Sequence, residues 1–105
     1  MSQRLIYLIQ LHESTPTDSF VLFALAKEYE KSGDTTQALD FYQKLRTADP
    51  AYVGLYYHLG KLYEKQQDIP NAVTAYKQGI ATARAAGDRH AESELRGALL
   101  EWEDE

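Results

Sequence analysis

Three histidines, sixteen aspartates and glutamates, and eleven lysines and arginines are the side chains of this 105-residue sequence that could do chemistry, and there is no cysteine among them. Without a thiol, disulfides, thiolate metal sites and a cysteine nucleophile are excluded. His12, His58 and His90 are scattered, and none stands in the spacing of a metalloprotease or hydrolase motif. His90 and Glu94 lie four apart on an expected helix, where they could share a metal but read more simply as a solvated face. No glycine-rich phosphate loop is present. Glu101 and Glu103-Asp104-Glu105 read as a solubilising tail rather than a general acid–base pair, because no pocket-forming pattern accompanies them. Neither enzymatic activity nor a cofactor or metal is therefore expected.

What remains is recognition by a surface. Hydrophobic residues make up 44% and charged residues 26%, the composition of an ordinary globular chain long enough for one domain with a modest core. The net charge of −5 disfavours nucleic acid and anionic membrane as partners, since both need a concentrated positive surface. The stretch Leu5 to Leu11 is apolar but lacks the features of a secretory signal. No run approaches the roughly 18 apolar residues of a membrane span. The expectation is a cytoplasmic protein whose partner is a protein or peptide.

The elements that would position such a surface are helices. Leu22, Leu25, Ala26 and Tyr29 recur at i, i+3, i+4 and i+7, and Tyr56, Leu59, Gly60 and Tyr63 do the same. Ala38, Leu39, Tyr42 and Leu45 form a third stripe, and Ala72, Val73, Tyr76 and Ile80 a fourth. An opening helix is expected over about 3–12. Ser32-Gly33 can close one helix, Asp34 followed by Gln37 can cap the next, and Asp68 with Pro70 in the first turn starts another. Asp49-Pro50 and Ala86-Gly87-Asp88 supply two further breaks. No period-2 run bounded by turn residues was found, so the sequence predicts an all-α fold.

The sequence also repeats itself. "EKSGDTTQA" begins at Glu30 and "EKQQDIPNA" at Glu64, thirty-four residues later. The same shift superposes Leu25 on Leu59, Lys27 on Lys61, Tyr29 on Tyr63, Ala38 on Ala72 and Tyr42 on Tyr76. This period and residue order resemble the tetratricopeptide repeat, over about residues 18–84. The pattern is that of a small bacterial-type protein with two full repeats and flanking helices. The second repeat departs from the family pattern in lacking the terminal proline that Pro50 supplies in the first.

The resemblance implies a right-handed α-solenoid of about six antiparallel helices, in a single domain over 1–105. It would comprise a flanking helix over 1–16, repeats over 18–50 and 52–86, and a capping helix with acidic tail over 88–105. Leu5, Leu8, Ile9 and Leu11 would stand in for a preceding second helix, and Leu95, Ala98, Leu99 and Trp102 for a following first helix. Small residues at Ala26, Ala38, Gly60 and Ala72 would let helices approach closely, and enlarging Ala38 or Ala72 to Leu is expected to cost on the order of 1–3 kcal/mol.

In this family the first helix of each pair lines a concave wall. The resemblance therefore assigns partner contact to Phe23, Lys27 and Glu30 in the first repeat, and to Tyr57, His58, Lys61 and Glu64 in the second, with Phe20 as a further member. Aromatic rings flanked by charges suit capture of a peptide. The other reading of Phe23 and Tyr57 is packing against neighbouring helices, with the charges as ordinary surface. One branch of the family clamps a chaperone's C-terminal carboxylate with basic and Asn side chains, but Phe23, Lys27 and His58 stand where that clamp needs Lys and Asn. A ligand of mixed charge, or a folded protein, fits better. An alternative function is self-assembly: Ile6 and Tyr7 point away from the opening helix's packing stripe, and Trp102 has no following helix to cover it, which would suit a homodimer.

Overall fold

Short oxygen-bearing side chains decide where five of the six helices among the described residues begin. The computed structural model describes residues 2–103. In it Ser2 accepts a hydrogen bond from the Leu5 N–H to open α1 (Gln3–Ser14), and Asp18 accepts from Val21 to open α2 (Ser19–Lys31). Asp34 caps α3 (Thr35–Ala48), Asp68 caps α5 (Ile69–Ala86) and Asp88 caps α6 (Arg89–Leu100) in the same way. Such a cap satisfies a donor that the helix leaves unbonded and contributes about 1 kcal/mol. α4 (Gly54–Lys65) is the exception, since Val53 before it offers no side-chain acceptor. The expected all-α class is what the chain forms, and the described residues contain no strand.

The turns after α2, α4 and α5 share one geometry. A residue with positive φ follows each helix: Gly33 at 85°, Gln67 at 61° and Gly87 at 72°. The N–H groups of Asp34, Asp68 and Asp88 then reach back to the carbonyls of Tyr29, Tyr63 and Ala83, each at 2.9 Å. This is the Schellman closure, which needs a left-handed residue at its centre. Each aspartate closes one helix with its backbone and opens the next with its side chain.

The chain divides into two compact units, residues 1–50 and 51–105. In the first, α2 packs against both α1 and α3. Leu5 and Leu8 of α1, Leu22, Leu25 and Ala26 of α2, and Ala38, Tyr42 and Leu45 of α3 are buried, so the sequence stripes are the packing faces. Tyr29 stacks on Phe41 at 5.7 Å between ring centroids, and His12 meets the same ring edge-on at 5.3 Å. Ile6 and Tyr7 lie on the outer side of α1 and are exposed, as their positions predict.

In the second unit α5 packs against α4 and α6. Two glycines permit this closeness. A Cβ on Gly60 would lie 2.6–2.7 Å from Cζ and Cδ1 of Tyr76, and one on Gly79 would lie 2.5 Å from Cβ of Tyr56 and 3.0 Å from Leu95. α5 has 18 residues against 14 in α3, and its added last turn contributes Ala83 to the buried residues. Glu92 accepts hydrogen bonds from Arg96 and from Arg84 of α5, and these hold its carboxyl below the usual carboxylate range. α6 stops at Leu100, so Trp102 leaves the helical stripe in which its spacing put it. Of the acidic tail, Asp104 and Glu105 lie outside the described residues. No described helix is long and apolar enough to cross a membrane.

Candidate partner-binding site

α4 shows how the packing stripe leaves a usable edge. Leu55, Tyr56, Leu59, Gly60, Leu62 and Tyr63 are buried, while Tyr57, His58, Lys61 and Glu64 are half-buried beside them. These four positions fall at i, i+1, i+4 and i+7, which is one edge of a helix. Their side chains touch in sequence. The Tyr57 and His58 rings meet edge-on at 5.8 Å, the Lys61 ammonium sits 5.5 Å from the centre of the Tyr57 ring, and it lies 3.7 Å from Glu64 Oε1. A lysine over a partly exposed ring is worth about 0.5–1 kcal/mol. The result is a contiguous strip of one aromatic ring, one imidazole and one cation.

Glu64 ends that strip and is tied inward. It accepts hydrogen bonds from the Tyr76 hydroxyl and, at 2.9 Å, from the Trp102 indole N–H. Tyr76 is fully buried, and its hydroxyl titrates well above its ordinary value because burial, and then the bond to Glu64, both oppose ionisation. The carboxylate expected to face a partner is therefore the group that orders its own unit.

The first unit repeats this device on α2. Phe23, Lys27 and Glu30 are half-buried along one edge. The hydroxyl of fully buried Tyr42 donates to Glu30 Oε1 at 2.7 Å, and its ionisation is suppressed by the same causes in the same order. Phe23 lies edge-on to Tyr42, with centroids 6.3 Å apart, so this ring packs at least in part within its own pair. Phe20, one turn earlier, is exposed. Both tyrosine–glutamate bonds span twelve residues. That spacing was visible in both repeats, and it is the signal that could have assigned Glu30 and Glu64 to internal bonding. Trp102 is the residue that sequence spacing missed. Among the described residues no group of three His, Cys, Asp or Glu is placed to hold a metal ion.

Models of the tetratricopeptide repeat match residues 20–51 and 53–85. A TPR repeat-containing protein of Pseudomonas aeruginosa is 35% identical over 78 residues, which are 74% of this chain and 74% of that protein. The chain belongs to the tetratricopeptide repeat family. The crystal structure of a tetratricopeptide repeat domain protein from Salinibacter ruber is 44% identical and superposes with a TM-score of 0.76, covering 80% of this chain and 93% of its own. A solution structure from the same organism gives 0.78 at 44% identity, covering 82% and 87%. A protein of Bordetella parapertussis, 26% identical, gives 0.81 and covers 96% of this chain and 88% of its own.

The fold is thus a small tetratricopeptide-type α-solenoid of the kind found in these bacterial relatives. α2–α3 and α4–α5 are its two repeats, and α1 and α6 flank them. Such repeats generally build protein–protein interaction modules and generally act as non-enzymatic scaffolds.

Proposed function

We propose that this protein is a non-enzymatic adaptor that captures a peptide or protein partner on the edges of its first-in-pair helices, with the α4 strip as the stronger contact. The observation that carries this reading is the contiguous, half-exposed Tyr57–His58–Lys61 strip. A ring with one face still open offers apolar area to a partner, and its neighbouring cation orients a carboxylate. Phe23 and Lys27 on α2 are the equivalent residues of the first repeat and contribute less, since Phe23 is partly used by Tyr42. Glu30 and Glu64 position the strips through their tyrosines and close one end of each. The partner expected here is of mixed charge, and the protein acts in the cytoplasm.

The test is affinity capture from the native cell with wild-type protein and with Tyr57→Ala/Lys61→Ala. Loss of the captured partner at unchanged helical ellipticity is the expected result; equal recovery by the double variant would refute the assignment.

One observation favours a second reading, a self-assembling unit. Ile6, Tyr7 and Leu100 are large apolar residues left exposed near the ends of the described chain. Sedimentation over a hundredfold range of concentration separates the two, because a monomer at every concentration removes the second.

A further inference from the structure

Trp102 is placed where the proposed α4 site needs an occupant. It lies past the last residue of α6, in a turn held by the N–H groups of Trp102 and Glu103 to the Leu99 carbonyl. From there its indole crosses to α4 and donates to Glu64, thirty-eight residues earlier. The next residue, Glu103, forms an ion pair of 3.1 Å with Lys77 of α5. The turn therefore brings an aromatic donor against Glu64 and a carboxylate against Lys77.

The hold is weak. Trp102 remains 40% exposed, and both ends of the Lys77–Glu103 pair face solvent. Exposed ion pairs contribute about 0–1 kcal/mol. A segment tethered this closely sees its site at a millimolar effective concentration, so even a weak contact is populated within the chain and yields to a better-fitting competitor.

We propose that the Glu64 end of the α4 strip is a docking site for a partner segment carrying a tryptophan between acidic residues, and that Trp102 is its resident occupant, which such a partner displaces. This rests on the reading of α4 as the partner-binding edge and specifies its ligand. The indole N–H answers the Glu64 carboxylate, and the carboxylate that follows the ring answers Lys77. A partner without the aromatic donor forgoes the bond to Glu64 that Trp102 makes, and one with a basic residue after the ring meets Lys77.

The experiment uses a fluorescein-labelled peptide of residues 98–105, ALLEWEDE, titrated by anisotropy into the full chain and its Trp102→Ala variant. The vacated variant binds it at least fivefold more tightly than wild type, and a peptide with alanine for tryptophan binds the variant at least tenfold more weakly than the parent peptide. Equal affinity for both proteins overturns the proposal, as does no binding to the variant. Trp102→Phe keeps the ring and removes the N–H, so its affinity falls between the two; it carries the comparison should Trp102→Ala lose helical ellipticity. If the peptide binds neither protein while Tyr57→Ala/Lys61→Ala still abolishes partner capture, the displaceable tryptophan is wrong and the α4 reading stands. A dimer that forms with rising concentration and is abolished by Trp102→Ala would give the site to a second copy's turn and overturn the intramolecular occupant.

Discussion

Tyr42 and Tyr76 are the residues on which both packing and site geometry turn. Each fills its pair's interior completely and spends its single polar atom on a glutamate of the preceding helix. A phenol held neutral in the fold titrates above its ordinary value of 10.0, so the unfolded chain loses that proton first as pH rises. The stability it contributes is complete below pH 10 and declines above it, by about 1.4 kcal/mol per pH unit for each tyrosine. Tyr42→Phe and Tyr76→Phe should each flatten that alkaline decline, measured by urea unfolding at pH 9, 10 and 11. Gly60 is the matching constraint on α4. Helix propensity favours alanine over glycine by about 1 kcal/mol, while overpacking costs about 1–3 kcal/mol. Because the Tyr76 ring a new methyl would strike is fully enclosed, overpacking wins, and Gly60→Ala should lose about 1–2 kcal/mol. Gly97→Ala, with nothing within 4 Å of the new methyl, should instead gain up to about 1 kcal/mol. The packing reason for Gly60 was legible from its place in the stripe. The inward bonding of Glu30 and Glu64 was legible only in their shared twelve-residue step to Tyr42 and Tyr76, because a carboxylate one step off a stripe by itself looks the same whether it meets solvent or a buried hydroxyl.

The helices were readable as elements because their ends are chemical. Asp34, Asp68 and Asp88 announce helix starts, and Gly33 and Gly87 supply the left-handed closures just before them. Gln67 occupies the same closure without glycine's freedom. A side chain in the left-handed region costs roughly 1–2 kcal/mol, of which glycine's greater unfolded entropy returns part. Gln67→Gly should therefore raise unfolding stability by about 0.5–1 kcal/mol, and Gly33→Ala should lower it by about 1 kcal/mol, both by thermal or denaturant unfolding. Trp102 shows where element reading fails. Its i+7 spacing from Leu95 extends the α6 stripe, yet the helix ends two residues earlier and the indole bonds to Glu64. Local periodicity cannot register a partner thirty-eight residues away.

For the molecule as a whole, a thirty-four-residue period named the architecture, because a helix pair that cannot bury its apolar side alone must be repeated or flanked. That argument gives a scaffold without giving its ligand. The Phe23, Lys27 and His58 departures argue against a chaperone-tail carboxylate, and Lys61 over the Tyr57 ring favours an acidic aromatic segment. Hydroxyl-radical footprinting with and without the captured partner reads side chains one by one and bears most directly on whether the α4 edge is the contact. Bound partner should shield Tyr57 and His58 from oxidation while Tyr7 stays as reactive as in the free protein. Shielding of Tyr7, with Tyr57 and His58 unchanged, would contradict it.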